Sequence, residues 1–98
     1  MVGGWFIGHF QPAVVSSDQF EVAIKHYRAG DKEQRHHHKV AWEITAIASG
    51  AVRMCGQTFG KGAIVHLAPG DSTDFEALED TITVVVKSPS VAGDKYLD

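Results

Sequence analysis

The chain has 98 residues, of which 44% are hydrophobic and 21% charged, and its net charge is −3. This composition excludes a disordered chain, and the length predicts one domain with a thin core. The nine basic residues are scattered along the chain, which argues against a nucleic-acid partner, and no apolar run is long enough to span a membrane.

Residues 1–19 are predicted to form an N-terminal arm or strand. The segment from Val2 to Phe10 is apolar but interrupted, and it lacks the basic start of a signal peptide. Cys55 is the only cysteine, which excludes an internal disulfide and favours a reducing compartment, so we expect a cytoplasmic protein. An open apolar edge invites association, and we therefore expect a homodimer through Val2 to Phe10, with a strand of the chain's own sheet as the alternative.

Residues 20–87 read as a series of β-strands, and residues 88–98 as an irregular tail. Side chains alternate with period two in the segment FEVAIKHYR. The face expected to point inward carries Phe20, Val22, Ile24 and His26. Four further segments show strand composition between glycine, proline or aspartate: AWEITAIASG, AVRMC, GAIVHLAPG and TITVVVK. The pattern predicts a single all-β domain, either a sandwich or a barrel.

Three consecutive histidines lie in the segment GDKEQRHHHKVAWEITAIASG. His36 and His38 are two residues apart, so on a strand they face the same way with Cα atoms about 6 to 7 Å apart, and both imidazoles can reach one metal ion. His37 then points to the opposite face. Glu43 joins them only if a turn or bulge lies near residues 39–41. The alternative is a solvated polar turn that binds no metal.

The spacing of this segment resembles the first motif of the cupin superfamily. Gly30 is followed after five residues by His36, after one more by His38, after four by Glu43 and after six by Gly50. The resemblance implies a small jelly-roll β-barrel in which two histidines and a glutamate bind one divalent metal. In this chain that role falls to His36, His38 and Glu43.

The second cupin motif is only partly present. Counting from Gly62, the positions that the family fills with proline, glycine, histidine and asparagine hold Ala68, Gly70, Thr73 and Ala77. Thr73 therefore stands where the resemblance implies the fourth metal-binding histidine. His26, on a strand, and His66, between apolar residues, are the other candidates for the pocket or for a fourth ligand.

The resemblance implies a metal-dependent protein for a small polar molecule such as a sugar, a sugar phosphate or a keto acid. The metal could be zinc, manganese, iron or nickel, because nitrogen and oxygen ligands suit all four. An isomerase, epimerase or dioxygenase is one hypothesis. The other is a non-catalytic binding or sensor module with a partial metal shell, which the missing fourth ligand favours.

Overall fold

The computed structural model describes all residues from 1 to 98, as eleven β-strands in two sheets. The only helical segment is a 3₁₀ turn at Val2–Gly4. The six-stranded sheet contains, in spatial order, β2 (Val15–Ser16), β1 (Trp5–Gly8), β3 (Glu21–Tyr27), β10 (Thr81–Ser88), β5 (Trp42–Ser49) and β8 (Ile64–Leu67). The five-stranded sheet contains β11 (Tyr96–Leu97), β4 (Lys32–His37), β9 (Thr73–Ala77), β6 (Ala51–Met54) and β7 (Gln57–Gly60).

The predicted all-β jelly-roll architecture is confirmed. All strand pairs are antiparallel except the short contact between β1 and β2. The apolar core lies between the two sheets at one end of the molecule and is made by Ile47, Val52, Met54, Val65, Leu67, Phe75 and Ala77. Only 18 of the 98 residues are buried, so the core is as thin as the chain length predicts.

Gly50 makes the turn from β5 to β6, after which the chain crosses from one sheet to the other. Its φ of +91° lies in the left-handed region, which side chains disfavour. A Cβ atom at this position would lie 2.4 Å from the carbonyl oxygen of Asp80. The turn therefore requires glycine for two reasons, and this accounts for the last fixed position of the first motif.

The inward face of β3 is the opposite of the one expected. Ala23 is fully buried, and Lys25 and Tyr27 line the interior cavity, whereas Phe20 is 42% exposed and Ile24 is 44% exposed. The alternation itself is as predicted. The expected inward face was wrong because this part of the interior is a polar cavity. The more polar side of β3 therefore points inward.

The two ends of the chain are more ordered than the sequence suggests. Strand β1 lies between β2 and β3, so the segment from Val2 to Phe10 is not an open sheet edge. In the tail, β11 pairs with β4 through the contacts of Tyr96 with His37 and of Leu97 with His36. Residues 94–98 thus lie against the histidine segment. No helix in the structure has the length and apolar character needed to cross a membrane.

Candidate functional site

A cavity of about 430 Å³ opens between the two sheets and borders the apolar core, because Met54 and Phe75 belong to both. This volume is in the range of small-molecule sites. Titratable side chains line it from both sheets and from the tail: Glu21, Lys25, Tyr27, Glu33, His36, His38, Glu43, Asp74, Lys87, Asp94 and Lys95. The interior of this barrel is therefore polar at one end.

His36, His38 and Glu43 all line this cavity, as the sequence predicts. His36 is on β4, His38 follows the end of that strand, and Glu43 is near the start of β5. The expected irregularity at residues 39–41 is present as a bend between the two strands. His37 points away from the cavity, where its Nδ1 lies 2.6 Å from Oδ1 of Asp98. The bend thus brings Glu43 to the same side as the two histidines.

His38 and Glu43 form a close buried pair. His38 is 7% exposed, and its Nε2 lies 3.3 Å from Oε1 of Glu43. The contact is not directed as a hydrogen bond, so Nε2 has no hydrogen-bond partner. The other carboxylate oxygen of Glu43 accepts a hydrogen bond of 3.0 Å from the hydroxyl of Thr45. This bond fixes the carboxylate with one oxygen directed at the imidazole.

The pair shifts the pKa values of both members. The Glu43 carboxylate raises the pKa of His38, and this effect outweighs the opposing effect of burial. Burial alone would raise the pKa of Glu43, but the contacts from His38 and Thr45 outweigh it and lower that pKa. The site therefore favours a positive charge, carried by a proton or a metal ion, next to an ionised carboxylate.

Asp94, in the C-terminal tail, forms hydrogen bonds with the bend at residues 39–41. Its carboxylate accepts hydrogen bonds from three successive main-chain N–H groups, those of Lys39 at 2.9 Å, Val40 at 3.2 Å and Ala41 at 2.9 Å. Its main-chain carbonyl also accepts a hydrogen bond from Nδ1 of His38. Burial alone would raise the pKa of Asp94, but the bonds from the bend lower it. One residue thus orients both the bend and the imidazole.

His36 lies beside His38 but is held differently. The two rings meet edge to face with centroids 5.4 Å apart, and Nδ1 of His36 bonds the carbonyl of Gln34 at 2.8 Å. Because a carbonyl only accepts, Nδ1 carries a proton, and in the neutral ring Nε2 therefore holds the lone pair. The structure does not bring three histidine, cysteine or carboxylate side chains to the spacing of one shared metal ion. The three predicted ligands line one cavity without forming a closed shell.

Thr73 lies directly across from His36 in the pairing of β4 with β9. Its buried hydroxyl donates a 2.7 Å hydrogen bond to the carbonyl of Asp74 and accepts one of 2.8 Å from the N–H of Cys55. The residue therefore lines the cavity at the expected fourth-ligand position, while its hydroxyl is committed to the main chain.

His26 and His66 do not belong to the site. Both are exposed, neither lines the cavity, and His66 lies near Trp42 with ring centroids 6.4 Å apart. His26 on β3 and His66 on β8 are both on the side of the strand that faces outward. We expected that either histidine could complete the metal shell. This expectation was wrong, because both lie on the outer side of the sheet.

Several cavity residues carry no signal in the sequence. Lys25 and Lys87 lie with their Nζ atoms 5.2 and 5.0 Å from the ring centre of Trp5. Each is paired with a carboxylate, Lys25 with Glu33 at 3.4 Å and Lys87 with Glu21 at 3.0 Å. Glu21 and Lys87 are far apart in sequence, and Lys25 and Glu33 lie on strands of different sheets, β3 and β4, so neither spacing nor periodicity indicates that the pairs meet.

Two hydroxyl groups add polar contacts on the cavity wall. The Tyr27 hydroxyl lies 3.3 Å from Oε1 of Glu33, and burial, followed by the charge of Glu33, raises the pKa of this phenol so that it stays protonated. Thr83 is fully buried, and its hydroxyl has no hydrogen-bond partner. The buried side-chain nitrogen and oxygen atoms without a hydrogen-bond partner are Thr83 Oγ1 and His38 Nε2, and both residues line this one cavity.

Solved structures show the same fold, whereas no family model and no curated sequence matches the chain. A protein with a double-stranded β-helix domain from Klebsiella pneumoniae is 23% identical with a TM-score of 0.75, over 83% of this chain and 71% of that one. A structure from Silicibacter pomeroyi, described as a sugar phosphate isomerase from a cupin superfamily, is 22% identical with a TM-score of 0.67, over 71% of this chain and 50% of that one. Oxalate decarboxylase from Bacillus subtilis is 18% identical with a TM-score of 0.70, over 83% of this chain and 24% of that one.

Proposed function

We propose that this chain binds one divalent metal ion through His36, His38 and Glu43. It takes a small polar molecule into the adjoining cavity. Its fold is the double-stranded β-helix of the cupin superfamily. The observation that carries the proposal is the position of His38 Nε2, which lies 3.3 Å from a Glu43 carboxylate oxygen but outside hydrogen-bond geometry. It is buried, and it faces a carboxylate that is itself held by Thr45.

The tautomer of His38 explains why its Nε2 atom is suited to bind a metal. Its Nδ1 must donate to the Asp94 carbonyl, because a carbonyl has no proton to give. Nε2 is then left with either a lone pair or a second proton, 3.3 Å from Glu43. An imidazole anchored through one nitrogen with the other nitrogen free is the usual arrangement of a metal-binding histidine. His36 is anchored in the same way through Gln34.

The donor set fits zinc, manganese, iron or nickel, because imidazole nitrogen and carboxylate oxygen serve all of them. Among the similar structures, oxalate decarboxylase is described with Mn(II) centres. When bound, such an ion polarises a carbonyl or hydroxyl group of a ligand. The chain's own residues orient the ligand through the Tyr27 phenol, the free Thr83 hydroxyl and the Lys25 and Lys87 ammonium groups.

The ligand class follows from the cavity. Its volume admits a molecule the size of a sugar, a sugar phosphate or a keto acid, and its wall offers both donors and carboxylate acceptors. The similar structures include one described as a sugar phosphate isomerase. An isomerase, epimerase or dioxygenase reaction on such a molecule is the enzymatic form of the proposal.

The second candidate function is a non-catalytic binding module with an incomplete metal shell. It is favoured by Thr73, whose hydroxyl is occupied by Cys55 and Asp74 and so offers no fourth ligand. The outward positions of His26 and His66 favour it too, because no further histidine reaches the cavity.

Calorimetric titration of the chelator-treated protein with Zn²⁺, Mn²⁺, Fe²⁺ and Ni²⁺ tests the metal site. We expect one ion per chain for at least one metal, and loss of binding in His38→Ala and Glu43→Gln. His66→Ala is the matched control, because it removes an exposed imidazole outside the cavity. Equal binding by His38→Ala and the parent would show that the site is elsewhere.

A ligand screen on the metal-loaded protein then separates the two functions. Sugars, sugar phosphates and keto acids are added, and binding is followed by thermal shift and product formation by NMR. Binding with turnover supports the enzyme, whereas saturable binding without turnover supports the binding module. A protein that binds metal but none of these ligands would contradict the proposed ligand class.

A further inference from the structure

Two lysines of the cavity wall are already matched by carboxylates of the same chain. Nζ of Lys25 lies 3.4 Å from Oε1 of Glu33, and Nζ of Lys87 lies 3.0 Å from Oε1 of Glu21. The side chains of Lys87 and Glu21 are only 14% and 13% exposed, so water screens this pair little. Neither ammonium group therefore carries an unmatched positive charge toward a ligand.

The formal charges of the whole cavity also balance once a divalent ion is bound. Its wall carries five carboxylates and three ammonium groups, and both histidines are neutral when they bind a metal. One divalent ion neutralises the excess of two negative charges, so this step rests on the proposed function. A dianionic phosphate would then add two negative charges that nothing in the cavity matches.

Thr83 lies beside one of the ion pairs and has a polar atom without a partner. The residue is fully buried and lines the cavity, and its Oγ1 makes no hydrogen bond. Thr83 pairs with Lys25 across β10 and β3, and paired residues share a face with Cβ atoms about 4.5 to 5.5 Å apart. A buried hydroxyl without a partner is unfavourable, and a bound molecule that supplies the partner removes this cost.

Glu33 keeps one carboxylate oxygen open. Its contacts with Lys25 and with the Tyr27 hydroxyl are both made by Oε1, so Oε2 can still accept a hydrogen bond. We define the hydroxyl subsite by Thr83, Lys25 and Glu33. It offers a hydroxyl, an ammonium donor and a carboxylate acceptor next to one another.

We propose that the hydroxyl subsite binds neighbouring hydroxyl groups of an uncharged ligand, so that among sugars, sugar phosphates and keto acids the cavity takes the neutral sugar. A hydroxyl group both donates and accepts, so one hydroxyl can donate to Glu33 while it accepts from Lys25, and its neighbour can bond Thr83. An ionised phosphate or carboxylate only accepts. Such a group satisfies Lys25 and Thr83 but is repelled by Glu33.

Calorimetry of the metal-loaded parent with matched probes tests the ligand class. Glucose, mannose, galactose and ribose are each compared with their own phosphate ester and their own aldonic acid at about pH 8, where both acids are ionised. We expect at least one neutral sugar to bind about tenfold or more tightly than its two charged forms. Charged forms that bind as tightly as the neutral sugar overturn the proposal. A panel in which no neutral sugar binds overturns it too.

Thr83→Val tests the hydroxyl subsite itself. Valine has nearly the same shape, and the lost hydroxyl has no partner within the chain, so stability in urea should not fall. Affinity for the neutral sugar should fall about tenfold or more, because one hydroxyl of the sugar loses its partner. Thr58→Val is the matched control, since Thr58 is exposed and does not line the cavity. Unchanged sugar affinity in Thr83→Val overturns the proposal.

Glu33→Gln tests the charge balance. The amide keeps the shape of the side chain but leaves Lys25 unmatched, so the affinity for the phosphate ester relative to the neutral sugar should rise about tenfold or more. Glu79→Gln is the control, because it removes an exposed carboxylate outside the cavity. Circular dichroism checks that each variant is folded. An unchanged preference in folded Glu33→Gln would count against the proposal, and the comparison of probes on the parent needs no variant.

The same titrations on the chelator-treated protein separate this inference from the proposed metal site. A chain that binds no metal but prefers neutral sugars, with the preference dependent on Thr83, would contradict the metal site and support the hydroxyl subsite. A chain that binds metal but prefers phosphate esters would overturn the hydroxyl subsite alone.

Discussion

The imidazole of His38 donates through Nδ1 to the main-chain carbonyl of Asp94, a residue 56 positions later in the chain. The same aspartate caps the bend that joins β4 to β5 with its side chain. The C-terminal tail therefore fixes both the tautomer of one predicted metal ligand and the path of the chain to the next one. The proposed site depends on a segment that the first motif does not contain.

Asp94→Ala should lower both stability and metal affinity. The variant leaves three N–H groups of the bend without their carboxylate partner, and we expect the free energy of unfolding to fall by about 1 to 3 kcal/mol. Because the bend orients His38 and Glu43, metal affinity should fall about 10- to 100-fold. Urea unfolding and calorimetric metal titration measure the two effects.

Asp31→Ala is the control for this variant. Asp31 also caps a turn, through a hydrogen bond of 2.8 Å from the N–H of Arg28, but it is exposed and does not line the cavity. It should lose some stability and keep the parent's metal affinity. If both variants lost metal affinity equally, Asp94 would have no specific positioning role.

The metal affinity and the stability of the metal-free protein should depend on pH in opposite directions. The carboxylate of Glu43 raises the pKa of His38 above its usual value of 6.5, and metal binding must displace that proton. Affinity should thus rise by about tenfold per pH unit up to the folded-state pKa, which lies above 6.5. In the metal-free protein, the stability contributed by the protonated imidazole is fully present below 6.5 and is lost as the pH rises through that higher pKa.

Glu43→Gln tests this interpretation in the metal-free protein. The amide carries no charge, so the pKa of His38 should fall and the stability loss should move to lower pH. Titration of the His38 ring signals by NMR measures the pKa directly. An unchanged titration midpoint in the variant would show that the carboxylate does not control this imidazole.

Thr73→His should strengthen metal binding at a cost in stability. The new imidazole would enter the cavity wall opposite His36, at the position where the resemblance to cupins implies a fourth ligand. The variant also removes the hydroxyl that bonds Cys55 and Asp74, and we expect a loss of about 1 to 3 kcal/mol. Thr73→Val, which loses the same bonds without adding a ligand, is the control. Equal metal affinities in the two variants would contradict a four-ligand geometry.

Gly50→Ala should destabilise the fold more than Gly30→Ala. Both glycines have a φ near +90°, so both substitutions carry the strain of a left-handed backbone, about 1 kcal/mol or more. Only at Gly50 does the new Cβ meet other atoms, at 2.4 Å from the Asp80 carbonyl and the Thr81 hydroxyl, while nothing lies within 4 Å at Gly30. Urea midpoints of the two variants should differ by the cost of this steric clash. Equal midpoints would show that the turn can relax.

The sequence by itself determined the strands β3, β5, β6, β8 and β10, the bend near residues 39–41 and the side to which His36 and His38 point. These features follow from local rules: side chains alternate on a strand, and a turn is needed to bring Glu43 to the same side. The spacing of the first motif also reflects local structure, because β4, the bend and β5 follow one another directly in the chain.

Only the tertiary structure decided which face of each strand is interior and which distant residues complete the site. On β3, alternation separates Ile24 from Lys25 but does not say which one points inward, and hydrophobicity gives the wrong answer because this interior is a polar cavity. Asp94 reaches His38 through the return of the tail to β4, and Thr83 faces the same cavity from the sheet centre. Such contacts depend on strand order and register, which no local pattern encodes.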